Sequence, residues 1–280
     1  MYSQLTKKSH ADDYLNDVIQ LADERYPAIG SILIFGSAAK GNFLRGVSDI
    51  DLLIVLADNT AQQTKRIISD DLAALELKHR LRRPPDSRLE RLYTKVDRMA
   101  SQFKSYFVCY RRDLLSGNTA AVFDVNPLIE SLILSTHIGF ASIVKSSTVM
   151  WGEDFRRQIH IPALTKAHLM KNWVAFLLLN AFAFVGYPFL PNATLYSMSA
   201  LKWMLHSCYF CYILESATIE EEIEFFRTKL GEHKTFSELQ SLRREKRPSL
   251  AFIRGCFGTL IQLYFATARD NEFPITLELT

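Results

Sequence analysis

The sequence predicts an α+β chain: a small mixed-sheet core over residues 1–118, followed by an all-α helical bundle domain over 119–280. Two short, apolar, β-branched runs, 31–35 (SILIF) and 51–56 (DLLIVL), flank a glycine-bearing turn at 36–48, and an aromatic run at 105–110 (SYFVCY) supplies a third strand. Past residue 126 the pattern changes. Long apolar segments recur at 128–144, 166–185, 197–214, 219–230 and 252–269, each long enough for a helix and poor in strand-like alternation.

The elements follow in order. Leu15, Val18, Ile19 and Leu21 recur at helical spacing over 12–26 and predict an opening helix, stopped by Pro27 and Gly30. After the first strand pair, Ile67, Ile68, Leu72, Leu75 and Leu81 predict a second helix, broken at Pro84 and Pro85. Leu89, Leu92, Val96, Met99 and Phe103 predict a third before the 105–110 strand, and Ser116, Gly117 and Asn118 supply a turn after it. No internal repeat or low-complexity tract is visible, and the basic run 243–247 (RREKR) is expected as a solvated loop.

Composition bounds the function. Of 280 residues, 48% are hydrophobic and 22% charged, the profile of a packed protein with ample core, so general disorder is excluded. Thirty-three Lys and Arg against thirty Asp and Glu leave a net charge of +3 without a block of one sign, which disfavours a grip on long nucleic acid. The four cysteines are too few and scattered for a disulfide framework and read as free thiols of a reducing cytoplasm. The first residues, MYSQLTKKSHADD, hold no apolar stretch of the signal-peptide kind, so a cytoplasmic location is expected. The uncharged stretch 172–201 is interrupted by Gly186, Pro188 and Pro191, and its apolar part, 173–185, is expected as a buried core helix with no membrane contact.

Chemistry concentrates in 35–56, FGSAAKGNFLRGVSDIDLLIVL. Side chains alternate along a strand, so Asp49 and Asp51 present two carboxylates on one face while Ile50 turns inward. Adjacent carboxylates repel unless they share a cation, and Mg²⁺ takes oxygen ligands together with substrate phosphates. Gly36 at a strand end lets backbone approach a phosphate closely, and Ser37 adds a hydroxyl donor. A helical turn starting at 38–41 would aim free N–H groups at the same anion.

GSAAKGNFLRGVSDIDL, with eleven residues between Ser37 and Asp49, closely resembles the signature of the DNA polymerase β-like nucleotidyltransferase superfamily, Gly-Ser followed after a short loop by Asp-x-Asp. The layout, a core with a helical C-terminal domain, is similar to that of antibiotic adenylyltransferases. The stretch 148–155 (TVMWGEDF) resembles more weakly a segment that follows the core in many of them. The resemblance implies transfer of a nucleoside monophosphate, AMP from ATP by analogy, from Mg-NTP to an acceptor hydroxyl on a small molecule or protein, with pyrophosphate leaving. Gly36 and Ser37 would bind the triphosphate, and Asp49 and Asp51 would hold Mg²⁺ and carry the catalysis.

The sequence departs from the family at one point. Many members carry a third carboxylate on a later core strand, whereas 105–110 has none and is flanked by Lys104 and Arg111. Glu90 and Asp97 fall on a segment read as helix, and Asp124 lies further on. The alternative reading is therefore a degenerate nucleotidyltransferase fold that binds a nucleotide or a partner without turnover.

Weaker candidates have structural readings. His206, Cys208 and Cys211 lack a fourth ligand at zinc spacing and are expected in a helix core. Arg156 and His160 stand too close for the ribonuclease pattern they faintly resemble. His79 with Arg80, Arg82 and Arg83, and the acidic stretch 220–224, read as solvated helix surfaces.

Overall fold

The computed structural model describes residues 10–36, 50–81, 105–190 and 192–277. Contacts divide the chain into two compact units, the first holding 1–129 and 143–161, the second 130–142 and 162–278.

The first unit is built on four strands, β1 (Ile29–Phe35), β2 (Asp51–Leu56), β3 (Tyr106–Tyr110) and β4 (Thr148–Gly152), in the order β3-β2-β1-β4. The sheet is mixed: β1 runs antiparallel to β2 and β4, and β2 runs parallel to β3. Three strands lie where the apolar runs predict them. The fourth comes from beyond residue 118, out of the stretch 148–155, and completes the sheet by long-range pairing with β1, Ile34 opposite Thr148 and Ser31 opposite Gly152. Gly152 has φ +81, and a Cβ there would overlap the Gly30 carbonyl, so this crossing requires glycine.

Two helices cover one face of the sheet, α1 (His10–Gln20), continued by a π turn at Leu21–Arg25, and α2 (Gln62–Lys78). Tyr14, Leu15, Val18 and Ala22 of the first, with Ile68 and Leu72 of the second, meet Ile32, Ile34, Leu52, Ile54, Leu56, Val108 and Tyr110. Every second strand residue faces that core, the period of a pleated strand. Tyr14 carries more of the packing than the predicted Ile19, which is only half-buried, and Ile67 points outward. Asp17 pins the C-terminal end of α2 through Lys78 at 2.6 Å and His79 at 2.7 Å; these partners, Lys78 first, lower its pKa. α2 stops ahead of the prolines because Arg80 takes the left-handed conformation, φ 56, and the Leu81 N–H returns to the Glu76 carbonyl at 2.9 Å. The helix expected over 89–103 lies outside the described residues.

On the opposite face α3 (Arg111–Leu115) and α4 (Thr119–Phe123) bury Leu114, Val122 and Phe123. Phe107 stacks on Phe35 and meets Phe123 edge-on. The expected helix over 128–144 is two pieces, α5 (Pro127–Leu132) and α6 (His137–Ser146), which fall at the division between the units.

The second unit is helical: α7 (Lys166–Gly186), α8 (Ala193–Ile213), α9 (Ile219–Leu230), α10 (Lys234–Arg244) and α11 (Leu250–Asp270). Its core is contiguous along α8, through Ala200, Leu201, Met204, Leu205, Cys208 and Cys211, and takes Phe226 from α9, Phe236 and Leu239 from α10 and Leu260 and Leu263 from α11. The sequence reading missed α10, a short helix whose one-sided burial through Thr235, Phe236, Leu239 and Leu242 is diluted by polar neighbours. Arg243, expected in a solvated loop, belongs to its last turn and pairs with Glu220 at 2.5 Å.

α7 and α11, 21 residues each, are long and apolar enough to cross a membrane by length and composition. α7 is longer than its apolar part because it takes in Lys166 and Lys171, and it departs from the expected core helix because much of its apolar side is exposed. Its inward stripe includes Asn172 and Asn180. The first accepts from the Ser135 N–H at 3.1 Å, and the second donates to the Ile253 carbonyl at 3.1 Å.

Candidate functional site

The candidate site is at the end of the two central strands, where β1 finishes and β2 starts. Phe35, last residue of β1, stands opposite Asp51, first residue of β2. Gly36 follows with φ +69, a conformation that strains any residue with a side chain. A Cβ at Gly36 would overlap the Asp51 Oδ2. Glycine is thus required twice, by the backbone and by the carboxylate that fills the space beside it. Asp51 is only partly buried, whereas the rest of β2 is buried.

β3 lies on the other side of Asp51. Leu52 is paired with Tyr106, and its N–H donates to the Ser105 carbonyl at 2.8 Å, so Ser105 stands at the register position beside Asp51. β3 reads YFVCY and carries no carboxylate. An acid from another element reaches this end of the sheet: Glu76 of α2, 2% exposed, accepts a hydrogen bond from the Ser105 hydroxyl. The buried Tyr14 hydroxyl is pushed well above its ordinary pKa, first by burial, then by Glu76, Tyr106 and Asp51. One neutral phenol therefore sits within electrostatic reach of both carboxylates. The sequence reading did not single out Glu76 or Tyr14. The available signal was an acid on an apolar stripe, at four-residue steps after Ile68 and Leu72.

Ser37 and Asp49, the other two expected site residues, lie outside the described residues, as do Glu90, Asp97, Arg82 and Arg83. Among the described residues no group of three or more His, Cys, Asp or Glu gathers as a metal site. The part of the expected Mg²⁺ site that is described fits a hard cation in donor chemistry, a carboxylate oxygen in space cleared by a glycine.

Residues 15–108 match the family model of the nucleotidyltransferase domain. This region of the chain is a DNA polymerase β-like nucleotidyltransferase domain. The match takes in β1, β2, the loop between them and β3 through Val108, and so includes Gly36, Ser37, Asp49 and Asp51. The fold of the whole chain is similar to that of spectinomycin adenyltransferase AAD(9) from Enterococcus faecialis, a structure solved with ATP and spectinomycin. The TM-score is 0.53 at 9% identity, over 91% of this chain and 98% of that one. No curated protein sequence matches the chain. The general chemistry of the nucleotidyltransferase domain is nucleotidyl transfer.

The weaker candidates have structural work. Arg156 is clamped by Asp154, at 2.7 and 2.9 Å, and donates to the Ser147 carbonyl at 2.5 Å; the Arg156 partner holds the Asp154 carboxyl down to about 2. His79 packs edge-on against Tyr14. Cys208 and Cys211 are buried free thiols, and burial pushes Cys211 up to about 12. The acidic stretch 220–224 differs from the expected solvated face at Glu222, which is 1% exposed and hydrogen-bonded to His206. Glu221 instead closes a capping box with Thr218 at the start of α9. Asp124, in the left-handed conformation, ends α4 as an exposed cap.

Proposed function

We propose that the chain transfers AMP from Mg-ATP to a hydroxyl of a small-molecule or protein acceptor. The acceptor hydroxyl gives up its proton to solvent, its oxygen bonds to the α-phosphorus, the bond to the bridging oxygen of the β-phosphate breaks, and pyrophosphate leaves. Gly36 and Ser37 bind the triphosphate; Asp49 and Asp51 hold Mg²⁺. When bound, the metal supplies charge neutralisation at the attacking and leaving oxygens. Residues 1–118 supply the nucleotide half of the site, and the chain acts in the cytoplasm.

The observation that carries this reading is the Asp51 carboxylate lodged against a left-handed Gly36 at the end of the central strands, inside a region that matches a nucleotidyltransferase domain. The similar fold solved with ATP and an antibiotic makes ATP the first donor to test and a small molecule the first acceptor class. The absence of a carboxylate from β3 favours a second reading, a fold that binds nucleotide without turnover.

Calorimetric titration with ATP, GTP, CTP and UTP, with and without Mg²⁺, tests the proposal. Binding of ATP that requires Mg²⁺ and disappears in the Asp49→Asn, Asp51→Asn double variant supports it. Binding without pyrophosphate release over a panel of hydroxylated acceptors supports the second reading, and binding of no nucleotide overturns both.

A further inference from the structure

The second unit presents an apolar face that its own fold leaves open. The inward stripe of α7 is Leu169, Asn172, Phe176, Asn180 and Ala183, and the opposite side carries Leu178, 53% exposed, Phe182, 40%, and Val185, 73%. α11 packs along one flank of α7, Trp173 against Tyr264 and Phe265, Phe184 against Phe257. It adds Ile261, 40% exposed, and Phe265, 59%, while Phe184 at the seam is 38% exposed. Only 28% of the most apolar window of α7 is buried.

Three features indicate what covers this face. Side chains of this size offer roughly 150–200 Å² each, so these six expose roughly 500 Å² of apolar surface. That lies in the upper part of the roughly 300–600 Å² of a monomer's largest patch, a size that is often functional, and is close to the apolar share of one side of a standard interface, about 65% of roughly 800 Å² in homodimers. Next, α7 carries no charge after Lys171, and beside the seam the Arg254 guanidinium lies over the Phe184 ring at 5.8 Å. A face without alternating charge does not select an unlike partner by electrostatics, and a two-fold pair needs only its own patch. Last, Gly258 lies on the outward line of α11 with Arg254, Ile261 and Phe265, is exposed, and a Cβ there would meet nothing within 4 Å. Glycine weakens a helix interior with no return inside this unit, and it suits close approach of a second helix.

We infer that the α7 and α11 face is the interface of a homodimer, a second copy of this chain being its occupant. The inference is independent of the proposed activity, because none of these residues belongs to the nucleotide site. Sedimentation velocity over a concentration series of the full chain tests it. The expected result is a monomer–dimer equilibrium in which Val185→Glu or Phe265→Glu raises the dissociation constant roughly a hundredfold. Gly258→Leu, with far-UV circular dichroism and monomer melting retained, is expected to do the same and keeps the test open where a charged variant fails to fold. A monomer at every concentration overturns the inference, as does a dimer indifferent to all three changes. A monomer that floats with phosphatidylcholine–phosphatidylglycerol vesicles, and stops doing so in Val185→Glu, overturns it in favour of a lipid surface.

Discussion

Gly36→Ala perturbs the site through one methyl group. At φ +69 a residue with a Cβ costs about 1–2 kcal/mol relative to glycine. The methyl also enters the space of the Asp51 Oδ2, and overpacking of that kind costs about 1–3 kcal/mol. The two effects total about 2–5 kcal/mol, or a fall of about 4–20 °C in the melting temperature of the first unit, at about 2–4 °C per kcal/mol for a unit of this size. Because Asp51 is the group that must move, Mg-ATP affinity should fall by more than stability alone accounts for. Differential scanning fluorimetry and calorimetric titration of the same preparation measure both quantities. Gly30→Ala is the internal control: its Cβ would make ordinary contacts at 3.8 and 3.9 Å, and its melting temperature should stay close to that of the parent. If Gly36→Ala melts with the parent and binds Mg-ATP equally, the carboxylate is not held as described and the metal role of Asp51 fails with it.

Other perturbations have equally defined outcomes. Glu222→Ala removes a buried partner of His206 and should destabilise the second unit by about 1–3 kcal/mol, with Glu222→Gln milder; equal melting of both variants and parent in thermal denaturation contradicts the pairing. His168 is held down to about 4 by burial, by the stacked ring of His137 and by Lys171, with Glu130 opposing. The unfolded chain therefore takes up that proton first, near pH 6.5. Stability of the second unit should be complete above that pH and decline as pH falls toward about 4, by about 1–2 kcal/mol after allowance for partial exposure, and urea titrations of parent and His168→Gln will show the difference or its absence. All four thiols are buried, with Cys109 and Cys211 pushed up to about 12, so an aromatic disulfide reagent should label none of them before unfolding, and fast labelling of the native protein would contradict the packing. Gly139→Ala, in α6 with open space at its Cβ, should raise the melting temperature slightly, an increment of about 0.5–1 kcal/mol that unfolding titrations resolve.

How much of this was legible in the sequence follows from how local each signal is. β1, β2 and β3 appeared as apolar runs because a strand buried on both faces needs an apolar side chain at almost every position, and such runs survive without knowledge of partners. Gly36 and Asp51 appeared because a strand, a turn and a strand lie within one short segment. β4 did not appear, since five residues separated from the core by more than thirty become a strand only by pairing with β1. Glu76 was hidden for a related reason: an acid in a helix reads as solvated until another element, here Ser105, closes over it.

The sequence by itself determined the mixed core ahead of a helical region, and singled out the segment 35–56, which falls inside the nucleotidyltransferase match, because hydrophobic periodicity and turn chemistry are properties of near neighbours. Tertiary structure decided that Glu76 reaches Ser105 at the end of the sheet, which strand completes the sheet, and which apolar residues of α7 and α11 remain outside a core. Those facts depend on which surfaces the folded chain brings together, and burial of a side chain is settled only when its neighbours arrive.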